Sequence, residues 1–194
     1  FEQFFNFGGR GQAQRPGQGQ SIEDHLEIPF ATAVTGGEAS VKTMTPEGKT
    51  TSVKVTIPAG IETGQKIRLK GRGYPSANGG PSGDILLTMK VAPHPDYKRV
   101  GNDLELTMPL TLAEAIEGAQ LEIPTPYSTI TLKIPPGTAS GKRFRVKQHG
   151  VSHQRGKGNL FVITQIHLPD NIDAEQTKQL VALNQPNPRH QITW

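Results

Sequence analysis

Two stretches of this chain are one stretch written twice. Val53 to Gly73 (VKVTIPAGIETGQKIRLKGRG) aligns with Ile130 to Gly150 (ITLKIPPGTASGKRFRVKQHG), and 7 of the 21 positions are identical. Pro29–Gly36 aligns with Thr111–Gly118, and Gly83-Asp84-Ile85-Leu86 with Gly158-Asn159-Leu160-Phe161, in the same order. An internal repeat of this length means that one supersecondary unit is built twice, so the fold must be a pair of related modules.

Inside each copy the apolar residues recur every second position. Val53, Val55 and Ile57 alternate with polar residues, as do Ile67 and Leu69, and the second copy repeats this with Ile130, Leu132, Ile134, Phe144 and Val146. That period gives strands with one buried face. The Pro-x-Gly-x-x-x-Gly segment between them predicts a turn, and the apolar runs Ile85–Val91 and Leu160–Ile166 predict inner strands. Phe30–Gly36 and Leu112–Gly118 carry Ala-rich helical spacing closed by glycine, one short helix per copy. With 22 Gly and 16 Pro in 194 residues, many turns joining short strands are expected.

The two ends differ from this pattern. Residues 1–20 hold four of the seven Phe, with Gly and Gln between them and no Val, Ile or Leu, and are expected to form a flexible linker. The chain opens on Phe1 rather than Met, as expected of a piece of a longer protein. After Pro169, Asp173 can cap a helix from Ala174 to about Asn184 that turns Leu180, Val181 and Leu183 to one side. A helix so short needs a partner to pack on.

The residues of chemistry are sparse. There is no cysteine, which removes disulfides, thiolate catalysis and cysteine-held zinc. Gly137–Lys142 approaches a phosphate-binding loop but is one residue short, has Arg143 where a magnesium-binding hydroxyl belongs, and precedes a strand. His149 and His153 lack a third ligand, and no nucleophile elbow or marked carboxylate pair is present. His94-Pro95-Asp96 follows a strand and reads as the link between modules. A binding protein without metal or cofactor is expected, not an enzyme.

The net charge is +4, and the excess is local: Lys133, Lys142, Arg143, Arg145, Lys147, Arg155 and Lys157 lie between Ile130 and Lys157 with no acid among them. Such a strip fits nucleic acid or an acidic partner, and equally a solvated strand face. Lys42, Lys54 and Lys66 offer a second set of cations to an acidic peptide tail.

Ile57-Pro58-Ala59-Gly60, the run Gly64–Gly73, Asn78–Asp84, Pro93-His94-Pro95 and Leu104–Gly118 together resemble the C-terminal region of DnaJ-type J-domain co-chaperones. Residues 1–9 resemble the end of the Gly/Phe-rich linker that follows a J domain in that family, and the missing cysteines place the resemblance in its zinc-free class, with the bacterial curved-DNA-binding type. The resemblance implies a mainly β fold: two tandem homologous β-sandwich-like domains, each with a short helix, plus a C-terminal dimerisation helix. The expected divisions are 1–20 linker, 21–97 domain I, 98–170 domain II and 171–194 helix and tail. It further implies a cytoplasmic homodimer that binds unfolded client proteins and presents them to a DnaK-type ATPase, with no membrane and no cofactor. Carried over by motif, the client groove falls on Leu26, Val41, Thr43, Val53 and Leu87, with Ile28 either beside them or in the core. Dimerisation falls on Leu180, Val181 and Leu183. The alternative is DNA binding, and with it nucleoid association, through Lys142, Arg143, Arg145, Lys147, Arg155 and Lys157.

Overall fold

The computed structural model describes residues 17–44, 50–153 and 156–183, with the backbone alone at 42–44 and 50–51. The first copy runs β1 (Ile22–Ile28), α1 (Phe30–Thr35), β2 (Gly37–Met44), β3 (Thr50–Ile57), β4 (Lys66–Leu69) and β5 (Ile85–Val91). A short strand β6 (Tyr97–Val100) follows. The second copy runs β7 (Asp103–Thr111), α2 (Leu112–Glu117), β8 (Ala119–Pro124), β9 (Thr129–Ile134), β10 (Arg143–Val146), β11 (Ser152–His153), β12 (Gly156–Lys157) and β13 (Leu160–His167). The helix α3 (Ala174–Ala182) comes last.

The sheet orders repeat as the sequence does. β1-β5-β4 in the first copy corresponds to β7-β13-β10 in the second, and each copy adds a separate hairpin, β2-β3 or β8-β9. The two apolar runs become the central strands β5 and β13, as expected. β1 runs parallel to β5 from the pair Ile22↔Ile85 to the pair Ile28↔Val91, and β4 is antiparallel to β5. Strands β6, β11 and β12 have no apolar alternation in the sequence; Tyr97–Val100, just after the His94-Pro95-Asp96 link, folds back on β7 through Gly101, whose φ of +62° glycine adopts without strain.

The repeat extends to single hydrogen bonds. The Ile22 amide donates to the Asp84 carbonyl at 2.8 Å, and the Leu104 amide to the Asn159 carbonyl at 2.9 Å. Gly64 donates to Met89 O at 2.8 Å, and Gly141 to Thr164 O. Gly73 donates to Gly83 O at 2.8 Å, and Gly150 to Gly158 O at 2.9 Å. These bonds equate Gln20 with Asn102, Ser21 with Asp103, and Asp84 with Asn159. Glycine is required where backbone meets backbone: a Cβ on Gly83 would stand 2.1 Å from Gln20 O, and one on Gly158 would stand 1.7 Å from Asn102 O.

One boundary is corrected. Residues 17–20, expected at the end of the flexible linker, are tied down. Gly19 donates to Pro81 O at 2.9 Å, Tyr74 donates to Gln20 O at 3.0 Å, and the Ser76 hydroxyl donates to Gly17 O at 2.5 Å. Glycine and glutamine cannot build an apolar core, but their main chain can close one. Residues 1–16 lie outside the described residues.

The chain gathers into two compact units, one of residues 1–106, 125–128 and 145–161, the other of 107–124, 129–144 and 162–194. In the first, Ile28, Val41, Val55, Ile57, Ile85, Leu87 and Met89 form the main apolar cluster, with Ile22, Leu26, Ile67 and Leu69 half-buried against it. Each such side chain, fully buried, contributes about 1.5–3 kcal/mol. The second unit buries Leu110, Ala115, Ile123, Ile134 and Val162. There α2 starts at a capping box: the Glu114 amide donates to Thr111 Oγ1 at 3.2 Å while the Thr111 amide donates to Glu114 Oε2 at 2.8 Å. That bond, with one from the Thr111 hydroxyl, holds the Glu114 carboxyl below its ordinary pKa. Its counterpart α1 begins at Pro29 and has no side-chain cap.

Candidate functional site

The groove positions carried over by resemblance lie on four strands, and the strand registers explain why they converge. Val41 and Val53 are cross-strand partners in the β2–β3 hairpin, and Thr43 faces Thr51 two residues on. Val41 and Val53 share the hairpin face that sends Val55 and Ile57 into the core. On the facing sheet Leu26 lies beside Met89, and Asp24 beside Leu87. Leu26, Ile28, Val41, Val53 and Leu87 therefore belong to the inner layer of the first copy.

Their exposure divides them. Leu87 is 0% exposed, Ile28 1% and Val41 5%, so these three are core side chains and offer a ligand nothing in this state. Ile28 takes the core role of its two expected ones, and Leu87 and Val41 lie beside it in the apolar cluster, because central and paired strands hide whatever faces inward. Leu26 and Val53 are half-buried. The Thr43 side chain lies outside the described residues. Burial falls along β1 from Ile28 back to Leu26, and along β3 from Ile57 to Val53. The layer opens toward Leu26 and Val53, and Asp24 stands half-buried on the same face of β1.

The candidate cations sit on exposed positions. Arg143 and Arg145 alternate on β10 with the half-buried Phe144 and Val146, and Lys147 follows in the same phase. Lys142 Nζ lies 5.4 Å from the Phe144 ring centre, and Lys157 Nζ 3.7 Å from that of Tyr127. Arg155 lies outside the described residues. In the first copy the matching strand β4 carries Lys66 and Arg68, and Arg68 Nε donates to Asp84 Oδ2 at 2.7 Å. The equivalent of Asp84 is Asn159, so Arg145 has no carboxylate at the place where Arg68 finds one. Sequence alone did not single out this exchange; aligning Gly83-Asp84 with Gly158-Asn159 contains it. The Tyr127 ring under Lys157 had no signal at all in the sequence. Its hydroxyl donates to Gly150 O at 2.7 Å, and burial pushes its pKa up.

The helix α3 has Asp173 as its cap, as expected, with Gln176 completing a capping box. No residue of α3 is buried; Val181 is 75% exposed, and Leu183, at its C-cap, is 65% exposed. A cleft of about 450 Å³ lies along it, lined by Pro169, Ile172, Leu180 and Leu183. His94 holds the turn before β6, its Nδ1 accepting from the amides of Asp96 at 3.1 Å and Tyr97 at 3.2 Å. Among the described residues no three His, Cys, Asp or Glu are grouped to hold a metal, and no helix is long and apolar enough to cross a membrane.

The described residues thus form a duplicated β module, each copy with its own three-stranded sheet arrangement and separate hairpin. Residues 22–169 match the family model of the DnaJ C-terminal domain, and the chain belongs to that family of DnaJ-type co-chaperones. Curved DNA-binding proteins of Salmonella paratyphi B and Salmonella newport are each 41% identical to it over 162 residues, 83% of this chain and 51% of theirs. The chain thus spans about half the length of these curated relatives.

Proposed function

We propose that the chain binds non-native polypeptides through the open end of the first copy's inner layer and presents them to a DnaK-type ATPase, without catalysis of its own. The observation that supports this is that Leu26 and Val53 lie half-buried at the margin of an apolar cluster whose centre is sealed, with Ile22 half-buried on the same strand face as Leu26. An unfolded chain offers apolar side chains and unpaired backbone, and an apolar opening beside strand edges accepts both without sequence selectivity. In this reading residues 21–97 are the client-binding domain and 98–170 the second domain. Residues 171–194 join two cytoplasmic copies through Leu180, Val181 and Leu183. Two weak arms on one dimer gain affinity by effective concentration. The test is suppression of aggregation of a chemically denatured client at stoichiometric excess. No suppression by the wild-type chain overturns the proposal.

DNA binding is the second reading, favoured by the exposed Arg145 and Lys147 and by the relatives' name. Contacts of this kind go to phosphates and weaken steeply with salt. Titration of a duplex at two salt concentrations tests it, and an absence of binding at low salt rejects it. Association with the nucleoid belongs to this reading alone.

A further inference from the structure

Both copies carry the same socket, and in the first an arginine fills it. Arg99 Nη1 donates to Ile61 O at 2.9 Å, and Nη2 to Gly60 O at 3.0 Å and to Glu62 Oε1 at 2.9 Å. These carbonyls belong to the turn after β3, which is seated on α1 by the Gly60 amide donating to Ala33 O at 2.8 Å. Arg99 shares a cavity of about 360 Å³ with Phe30, Val34 and Pro93, and Val34 is 1% exposed. His94 meets Phe30 edge-on, with ring centres 5.6 Å apart. A Cβ on Gly60 would stand 2.7 Å from Ser152 O, so the turn is covered on that side as well.

The frame recurs in the second copy. The Gly137 amide donates to Ile116 O at 3.1 Å and the Thr138 amide to Ala115 O at 3.0 Å, seating the corresponding turn on α2. The Val91 amide donates to Thr63 Oγ1 at 3.1 Å, and likewise the Ile166 amide to Ser140 Oγ at 3.2 Å. Gly137 and Thr138 thus stand for Gly60 and Ile61, Ile116 for Val34, and Leu168 for Pro93. Here the cover is missing. Among the described residues no donor meets Gly137 O or Thr138 O, and a Cβ on Gly137 would meet nothing within 4 Å. Ile116 is 57% exposed and Leu168 68%. The acid has moved: Ala139 replaces Glu62, while Glu117 at the end of α2 replaces Thr35.

One segment has the composition and the starting point to supply that cover. Leu183, at the end of α3, lines the same cleft as Pro169, the neighbour of Leu168. The chain after it, residues 184–194, lies outside the described residues and reads NQPNPRHQITW. It holds Arg189 and no acid, and its Pro186-Asn187-Pro188 precedes that arginine as Pro93-His94-Pro95 precedes Arg99. From Leu183 to Arg189 the chain can span up to about 20 Å. We propose that residues 184–194 close the second socket of their own chain. Arg189 donates to Gly137 O and Thr138 O beside Glu117, and Ile192 and Trp194 cover Ile116 and Leu168. Hydrogen bonds from a guanidinium are the stronger, charge-assisted kind, and the apolar contacts remove exposed surface from water. The segment finishes the second module as residues 93–101 finish the first, and this depends on neither the client reading nor the DNA reading.

Trp194 is the sole tryptophan, so its fluorescence in the full chain reads the segment directly. Wild-type emission should lie to the blue of that from a free peptide of residues 184–194, and acrylamide should quench it severalfold less steeply. Ile116→Glu and Leu168→Glu, both at exposed positions, and Arg189→Ala should each return emission and quenching toward those of the peptide, with the circular dichroism spectrum unchanged. The chain has no cysteine of its own, so Ile116→Cys with Ile192→Cys gives one defined pair. Mild oxidation should join it within a single chain, which runs as a monomer in non-reducing electrophoresis. Wild-type quenching as steep as the peptide's, shielding that survives both glutamate variants, or a covalent dimer in place of the intrachain disulfide overturns the proposal.

Discussion

Arg68 Nε lies 2.7 Å from Oδ2 of Asp84, and the other oxygen of that carboxylate accepts the Gly71 amide at 2.8 Å. Asp84 thus fastens the end of β4 to the start of β5. The Gly71 bond is the main cause of a carboxyl pKa below the ordinary 3.8, with Arg68 adding to it. Because the folded pKa is depressed, the stabilisation is complete above the ordinary value and disappears as pH falls through the lower folded one. Thermal melts from pH 5 to pH 2 should show Asp84→Asn less stable than wild type at pH 5 and converging with it at the acid end. A constant offset across that range contradicts this account.

Leu87 and Val53 should respond differently to substitution. Leu87→Ala opens a cavity in a sealed layer and should cost about 2–5 kcal/mol in denaturant titrations. Leu26→Ser and Val53→Ser, at half-exposed positions, should each cost about 1 kcal/mol. Both should weaken suppression of client aggregation while leaving the circular dichroism spectrum unchanged. Serine variants that bind client as wild type does would move the site elsewhere.

The tight main-chain crossings admit no side chain. Gly158→Ala places a methyl carbon within bonding range of Asn102 O, so the chain must separate there, at a cost of about 3 kcal/mol or more. Gly137→Ala, where a Cβ meets nothing within 4 Å, suffers only from its φ of +69° and should lose about 1 kcal/mol. Chemical denaturation of both variants checks the order.

The helix caps give a paired comparison. Thr111→Ala removes the Oγ that receives the Glu114 amide and should destabilise the second unit by about 1 kcal/mol. Ala31→Thr in α1 introduces no equivalent cap, since the matching capping position is Pro29, and brings no comparable gain. Calorimetry of the two variants decides.

On the proposed role of α3 in joining two copies, Val181→Lys with Leu183→Lys should give a monomer in sedimentation without lowering the melting temperature at high concentration by more than the lost association implies. Both side chains are exposed, so their loss leaves the rest of the fold intact. Monomeric wild-type chain at micromolar concentration overturns the assignment of α3.

What the sequence made legible was periodic. Val53-Val55-Ile57, Ile85–Val91 and the Ala-rich turns before Gly36 and Gly118 announce strands and helices because burial on one face writes itself every two or every three to four residues. The partners of those strands left no such trace. Tyr97–Val100 has no alternating apolar face, since its role is to cover an edge with main chain. The depth of the groove positions is hidden for a related reason: Leu87 and Val53 are both apolar inward-facing residues, and only the sheet order decides which of them is sealed. Residues 17–20 hold mainly through their own main chain, which composition does not record.

The crossings of Gln20 over Gly83 and of Asn102 over Gly158 also say where each module can be cut. Its first strand is not its beginning; the residues just upstream form the latch that closes its long loop. A fragment started at Ile22, or a chimera joined at Leu104, discards that latch and should release the loop of residues 74–82 or 151–157. Dissection at residue 17 keeps it.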